Sequence, residues 1–130
     1  MTVELDPADP ISSYSVRRAD RTPLGTADFV VVPGALPGVI PDALPGVREE
    51  RIFFHTEVCQ DFGGRELVEL LVSTALTDSM RDNATVVPLC PMFARHLRVH
   101  GDTFIARGGV FRRPVADDIG VITRATLGEV

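Results

Sequence analysis

Three side chains, His55, Glu57 and Cys90, are the ones that this sequence places best for chemistry. His55 and Glu57 alternate with Phe54 and Thr56 in a run that has the pattern of a β-strand, so we expect them to share one face of it. A histidine that faces a cleft can act as a general base, and a carboxylate can do so through a water molecule. The alternative is structural: a histidine hydrogen-bonded within the sheet and a carboxylate at a strand end.

Cys90 lies between the apolar run Val-Val-Pro-Leu and the start of a predicted helix. Pro91 suits the first helical position, which would place Cys90 at or beside the N-cap. The unpaired amides of a helix start favour a thiolate, so we predict that Cys90 is a reactive group and reacts faster than Cys59. The alternative is a buried and inert cysteine, because cysteine is one of the commonest core residues.

The elements that would hold these side chains span residues 53–90 and read as strand, glycine-containing turn, helix and strand. This order and size are typical of a βαβ unit. The helix is predicted over residues 64–80, and its first amides, which have no partner within the helix, make a site for an anionic group. We therefore place the site for chemistry in the gap between residues 55–59 and 88–90. Six residues form the apolar face of the helix: Leu67, Val68, Leu71, Val72, Ala75 and Leu76.

The remaining chemistry-bearing residues give little support to a metal site. His96 and His100 share one side of a second predicted helix, at a spacing that can bind a metal ion, but no third ligand lies nearby. We interpret them as helix-surface or interface residues. The two cysteines are too few for a disulfide framework and form no CxxC motif, so we expect both to be reduced, in the cytoplasm.

Composition narrows the class of protein. A chain of 130 residues suits one domain with one core. Its net charge of -5, with every positive charge on a dispersed arginine, argues against a nucleic-acid partner. The sequence contains no apolar run near the ~20 residues of a membrane span, so no membrane partner is expected. The first residues lack the basic and apolar regions of a signal peptide.

Outside the βαβ unit the sequence predicts two early strands, over residues 14–18 and 26–32, after a loose arm at residues 1–12. The second helix is expected to begin at Pro91 and to stop at Gly101, after about ten residues. Residues 102–130 are expected to contain two short strands, near Phe104 and near Val121, and residues 105–130 form a C-terminal extension.

The segment 33–47 is a near repeat, Pro-Gly-Ala-Leu-Pro-Gly-Val-Ile followed by Pro-Asp-Ala-Leu-Pro-Gly-Val-Arg. Proline at this density excludes a central strand and a helix interior. One interpretation is a surface loop, since loops of this length are functional or disordered. The other is a lid or a homodimer contact, because the segment is more apolar than a linker requires.

Taken together, Phe-His-Thr-Glu-Val, Gly-Arg-x-Leu, Leu-Val-x-x-Ala-Leu and Val-Val-Pro-Leu-Cys-Pro resemble the short, single-domain branch of the GNAT superfamily of acetyl-CoA-dependent N-acetyltransferases. The resemblance covers residues 13–104. It implies an α/β fold with a mixed sheet, in which antiparallel N-terminal strands precede a central β-α-β unit and a second helix. Its two parallel strands splay apart, and the pantetheine arm of acetyl-CoA enters the splay.

The resemblance also implies the site residues. The pyrophosphate of acetyl-CoA would bind at the turn and helix start, and the acetyl group would lie beside Val58. Cys90 matches a position proposed for catalysis in the family, and the acceptor would be an amine. The implied residues of the pyrophosphate site are Gly63, Gly64, Arg65, Glu66, Leu67 and Val68.

Two hypotheses follow for function. The first is an N-acetyltransferase that acts on an amine of a small molecule or a protein, by direct attack on the thioester or through an acetyl group carried by Cys90. The second is a non-catalytic, regulatory or interaction protein of the same fold. It follows from Glu66 and Val68, where the family has glycine or another small residue, because bulk and negative charge there oppose an anionic pyrophosphate.

Overall fold

The computed structural model describes residues 1–33, 49–59 and 64–127. They form one six-stranded sheet and three helices. The strands lie side by side in chain order, β1 to β6. Their bounds are β1 Thr2–Asp6, β2 Ser12–Arg17, β3 Pro23–Val32, β4 Glu50–Val58, β5 Thr85–Pro88 and β6 Val110–Phe111. The helices are α1 Gly64–Arg81, α2 Pro91–Ala106 and α3 Ala116–Thr126.

The sheet is mixed, as predicted. Strands β1 to β4 pair antiparallel, whereas β4, β5 and β6 are parallel to one another. The expected loose arm at residues 1–12 is wrong: Thr2–Asp6 forms β1, which pairs with β2 along its whole length. The turn residues of this segment concealed an edge strand whose Val3 packs against the core.

Helix α1 follows its predicted apolar face closely. Leu67, Leu71, Val72, Ala75 and Leu76 are buried. Helices α1 and α2 both connect parallel strands in the order β4-β5-β6, so right-handed crossovers place them on the same face of the sheet. Both contribute to one core cluster with the sheet residues beneath them.

Buried Arg51 joins that core to the end of α1. It is 6% exposed, and its guanidinium donates to the Tyr14 hydroxyl at 3.1 Å and to the Asp82 carboxylate at 2.7 Å. Asn83 follows the end of the helix in a left-handed conformation, with φ 56°, which asparagine tolerates.

Helix α2 is longer than expected, because Gly101 does not stop it. Gly101 is buried within the helix, where an added Cβ would meet the Phe111 ring at 3.0 Å. A helical glycine here permits close packing against β6. The helix ends instead before Gly108, whose φ of 104° suits glycine.

The C-terminal extension also differs from the expectation of strands near Phe104 and Val121. Phe104 lies in α2, and residues 116–126 form α3. Asp118 provides the reason, since its carboxylate accepts from the Val115 amide at 2.7 Å and from the Arg112 guanidinium. This N-terminal capping outweighs the strand preference of Val121 and its β-branched neighbours.

The segment 33–47 lies outside the described residues except for Pro33, so both interpretations of it stay predictions. Over the ranges that the structure describes, no helix combines the length and apolar character needed to cross a membrane.

Candidate active site

The parallel strands β4 and β5 diverge as they approach the helix starts. Their pairing runs from Glu50 with Thr85 to Phe53 with Pro88 and stops there, although β4 continues to Val58. The Cys90 amide donates to the Phe53 carbonyl at 2.8 Å. This bond closes the narrow end of the space between β4 and the segment that follows β5, which we call the fork. β5 ends at Pro88 while β4 continues to Val58, so over the described residues no ladder joins them beyond that bond, as the predicted splay requires.

The edge of β4 inside this fork presents backbone groups that have no hydrogen-bond partner among the described residues. On the β3 side, the Cys59 amide donates to the Leu24 carbonyl at 2.7 Å. Antiparallel pairs alternate between bonded and non-bonded, so Val58, which lies opposite Gly25, points its N–H away from β3. The Thr56 N–H points the same way, two residues earlier. Both amides therefore face the gap that β5 leaves open.

A cleft of ≈ 520 Å³ lies at this end of β3 and β4. Gly25 brings the two strands close together there, because a Cβ at this position would lie 2.8 Å from the Glu57 carbonyl oxygen and from the Val58 side chain. We call this space the fork cleft. It is lined by Leu24, Gly25, Thr26, Thr56, Glu57, Val58, Cys59 and Met92.

Cys90 occupies the predicted N-cap position of α2, with extended backbone angles of φ -69° and ψ 130°. Its thiol does not cap the helix; it makes a hydrogen bond with the Thr56 hydroxyl across the fork, at 3.3 Å. The residue is only 3% exposed and belongs to the core cluster. Cys59, at the end of β4, is half-buried, and both cysteines are free thiols.

His55 and Glu57 share a face of β4, as predicted, and the His55 Nε2 lies 3.3 Å from a Glu57 carboxylate oxygen. A β-bulge decides which face. Asp28 is opposite His55 while Phe29 is opposite Phe53, so Phe54 is the extra residue. As a result, Phe53 and Thr56 both face the helices, and His55 and Glu57 turn to the other, exposed face.

Asp28 joins His55 and Glu57 on that face, and sequence reasoning missed it. Partial burial raises the pKa of the Asp28 carboxyl, His55 lowers it, and the negative charge of Glu57 raises it further. The cross-strand partner was hidden from the sequence because the bulge at Phe54 shifts the register by one residue.

A second cleft, of ≈ 530 Å³, lies between the first halves of α1 and α2. Met92 lines both this helix cleft and the fork cleft, so the two spaces meet at its side chain. The other residues that line the helix cleft are Gly64, Arg65, Val68, Glu69, Val72, Arg95, His96, Val99 and His100.

The predicted pyrophosphate residues separate into three groups. Gly64, Arg65 and Val68 line the helix cleft. Leu67 is 1% exposed and packs in the core, while Glu66 is exposed and does not line the cleft. Gly63 lies outside the described residues.

The structure adds Glu69, Arg95, His96 and His100 to the predicted site. Their helical spacing from Arg65 and Met92 is the signal that would have found them. His96 and His100 lie on the surface of α2, as interpreted from the sequence, and both line this cleft. Over the described residues, no group of three or more His, Cys, Asp or Glu side chains is placed to hold a metal ion.

Residues 46–104 match the sequence profile of the family described as GCN5-related N-acetyl-transferase. This segment covers β4, α1, β5 and most of α2, which are the elements that build both clefts. The resemblance predicted from the sequence motifs is therefore confirmed over this segment. None of the curated protein sequences is significantly similar to the chain.

Two solved structures are similar to this chain. One is a ribosomal-protein-alanine N-acetyltransferase from Brucella melitensis biovar Abortus 2308, with 14% identity, a TM-score of 0.44, and coverage of 72% of this chain and 62% of that one. The other is the aminoglycoside N-acetyltransferase AAC(6')-Iy in complex with CoA, with 16% identity, a TM-score of 0.41, and coverage of 73% and 67%. This chain thus spans less than two thirds of the length of the Brucella protein.

Proposed function

We propose that this chain, whose residues 46–104 match the GCN5-related N-acetyl-transferase family, transfers an acetyl group from acetyl-CoA to an amine of a small molecule or a protein. The observation that carries the proposal is the meeting of the fork cleft and the helix cleft at Met92. The two clefts lie next to each other, one at the open edge of β4 and the other at the start of α1. The proposal includes a cytoplasmic location, where the two thiols stay reduced.

The residues of the two clefts suit the parts of acetyl-CoA. The pantetheine arm carries amide groups, which need hydrogen-bond partners, and the edge of β4 at Thr56 and Val58 offers unpaired ones. The pyrophosphate is anionic, and the first amides of α1 together with Arg65 offer positive partners at the mouth of the helix cleft. Glu66 does not line that cleft, so the main objection drawn from the sequence is weakened.

The chemistry is addition of the amine nitrogen to the acetyl carbonyl carbon, followed by cleavage of the carbon–sulfur bond. The Val58 amide would stabilise the negative charge that develops on the carbonyl oxygen. Glu57, which lines the fork cleft, would accept the amine proton, with His55 at 3.3 Å to share it. The departing CoA thiolate would take a proton from the Cys90 thiol, which is then reprotonated from solvent.

Direct attack is favoured over an acetyl group carried by Cys90. The Cys90 side chain is buried and already bonded to Thr56, so an acetylated sulfur would have to displace packed neighbours. Proton donation requires no such rearrangement. Cys90 and Thr56 together form a hydrogen-bonded pair beside the unpaired edge of β4.

Calorimetric titration with acetyl-CoA and with CoA tests the proposal, and two glutamates of α1 provide a matched pair of variants. Glu69 lines the helix cleft and Glu66 does not, although both are exposed. Removing the charge of Glu69 relieves repulsion of the phosphates, so Glu69→Gln should tighten CoA binding by about two- to fivefold. Glu66→Gln should leave the affinity unchanged.

Absence of binding at millimolar acetyl-CoA would contradict the proposal. Binding of CoA without acetyl transfer to any of a panel of amines would identify the chain as the non-catalytic protein of the second hypothesis. Equal effects of the two glutamate variants would show that the phosphates do not lie in the helix cleft.

A further inference from the structure

The helix cleft contains more basic side chains than binding of a pyrophosphate at the start of α1 requires. Arg65 lies at that start, but Arg95, His96 and His100 follow one another along α2, and among the described residues Glu69 is the single acidic group that lines this cleft. The additional basic side chains are therefore on α2, away from the helix start. They suit a second anionic group in a ligand that fills the cleft.

His96 and His100 form a defined pair on that helix. Their ring centroids lie 4.8 Å apart with an interplanar angle of 46°, and both rings line the cleft. His96 is half-buried and His100 is exposed. Two imidazoles at this separation repel each other when both are protonated, and an anion between them removes that repulsion.

The distance along α2 matches a ligand that starts in the fork cleft. Met92, where the two clefts meet, precedes His100 by eight residues, which is about 12 Å along a helix axis. A nucleotide whose diphosphate lies near Arg65 would therefore bring a phosphate on its ribose toward this pair. In CoA that group is the 3′-phosphate, a phosphomonoester.

We propose that His96 and His100 bind the 3′-phosphate of CoA, so that the affinity for CoA depends on pH through these two histidines. The inference rests on the proposed function, because it assumes that CoA occupies the helix cleft. The inference goes beyond the proposed function because it assigns recognition of the phosphomonoester to the histidine pair rather than to arginine alone.

The sign of the pH dependence follows from the surroundings of His96. Burial lowers the pKa of His96 below its usual value near 6.5, the neighbouring His100 lowers it further, and Glu69 raises it. A bound phosphate dianion stabilises the protonated ring and so raises this pKa. Once the phosphate carries its second negative charge, affinity therefore falls as pH rises through the pKa of His96 in the complex.

Arg65, Arg95 and Glu69 are the other charged groups that line the cleft, and a variant that replaces only the two histidines leaves all three in place. Any pH dependence that these three groups produced would therefore persist in that variant. The phosphomonoester itself gains its second negative charge near pH ~6, which strengthens binding as pH rises and so acts in the opposite direction. A fall in affinity above pH ~6.5 therefore reports the histidines.

The test is calorimetric titration of the full chain with CoA and with dephospho-CoA, which lacks the 3′-phosphate, at pH 6.5 and 8.0. One pKa unit of coupling corresponds to tenfold in affinity, so CoA binding should weaken by about three- to tenfold across this range. Dephospho-CoA should bind more weakly than CoA at pH 6.5, and its affinity should change less than twofold.

Variants show whether the pH dependence of CoA binding comes from the histidine pair or from other groups of the protein. His96→Asn with His100→Asn should abolish the pH dependence and bring the affinity for CoA close to that for dephospho-CoA. His55→Asn is the matched control, since His55 lies on β4 outside the helix cleft, and it should keep the pH dependence of CoA binding intact.

Equal affinities and equal pH profiles for the two nucleotides in the unmodified chain would overturn the inference while leaving the proposed function in place. Persistence of the pH dependence in the double variant would overturn it as well. If neither nucleotide binds, the proposed function fails and this inference fails with it.

Discussion

At the scale of single residues, the sequence predicts where a candidate residue lies in a helix or strand better than it predicts what the side chain contacts. Cys90 was located at the N-cap from Pro91 alone, and the structure confirms that position. Sequence reasoning left its burial open as an alternative and could not predict its bond to Thr56, because that bond depends on how far apart two strands lie. The reactivity of a thiol depends on its access to the reagent as well as on nearby helix amides. That Cys90 reacts faster than Cys59 therefore stays a prediction.

The first prediction concerns the work of the Cys90 thiol. If it donates a proton to the departing thiolate, Cys90→Ser should also slow the acetyl transfer, because a serine hydroxyl is a much weaker acid than a thiol. Cys90→Ala removes the donor and should lower kcat by about 10- to 100-fold, at the low end for general acid catalysis. The measurement is steady-state transfer, with circular dichroism to show that both variants fold.

Mass spectrometry of the acid-quenched protein provides the control. Incubation with acetyl-CoA and no amine should leave Cys90 without an acetyl adduct. A stoichiometric adduct that transfers to an added amine would contradict direct attack and establish the route through Cys90.

At the scale of elements, the sequence predicts the helices and strands that have a strong apolar periodicity or clear turn residues at their ends. Helix α1 and strands β3, β4 and β5 appear where the pattern placed them, because apolar periodicity and flanking turn residues agreed. Two of the errors come from packing between distant residues. Gly101 continues a helix because Phe111 needs the space, and β1 forms because β2 offers an edge.

Helix α3 depends on a network that the sequence did not reveal. Arg112 donates to Glu50 at 2.7 Å and to Asp118 at 2.9 Å, and so ties β4 to the start of α3. Arg112 is the main cause that lowers the pKa of Asp118. The second prediction is that Asp118→Asn lowers the free energy of unfolding at pH 7 by about 1.5–3 kcal/mol, the range for hydrogen bonds to charged groups.

The pH dependence of this effect has a fixed sign. Because the pKa of Asp118 is lower in the folded state, its contribution is fully present above the unfolded value of about 3.9 and is lost as pH falls through the folded pKa. Urea unfolding at pH 7 and pH 3 should therefore show a smaller difference between Asp118→Asn and the unmodified chain at the lower pH. Asp117→Asn is the control, and its exposed side chain should contribute little at either pH.

At the scale of the whole molecule, the resemblance predicted the mixed sheet and the splay, which the structure confirms. It could not predict which of the candidate side chains lie on each face of the sheet. The bulge at Phe54 sends Thr56 to the helix side, where Cys90 lies, and sends His55 and Glu57 to the other. We infer that cofactor and acceptor approach the fork from different sides, and that the edge of β4 is where they meet.

Binding of acetyl-CoA at the edge of β4 is tested most directly by residue-resolved amide hydrogen exchange. The exchange is measured by nuclear magnetic resonance, with and without acetyl-CoA. The Val58 amide faces the open fork, whereas the Cys59 amide is bonded to Leu24 at 2.7 Å and serves as the internal reference. We predict that acetyl-CoA slows exchange at Val58 by at least about tenfold, as expected when an unpaired amide gains a hydrogen-bond partner, and leaves Cys59 nearly unchanged. An unchanged rate at Val58 in protein saturated with acetyl-CoA would contradict the claim that this strand edge binds the acetyl group.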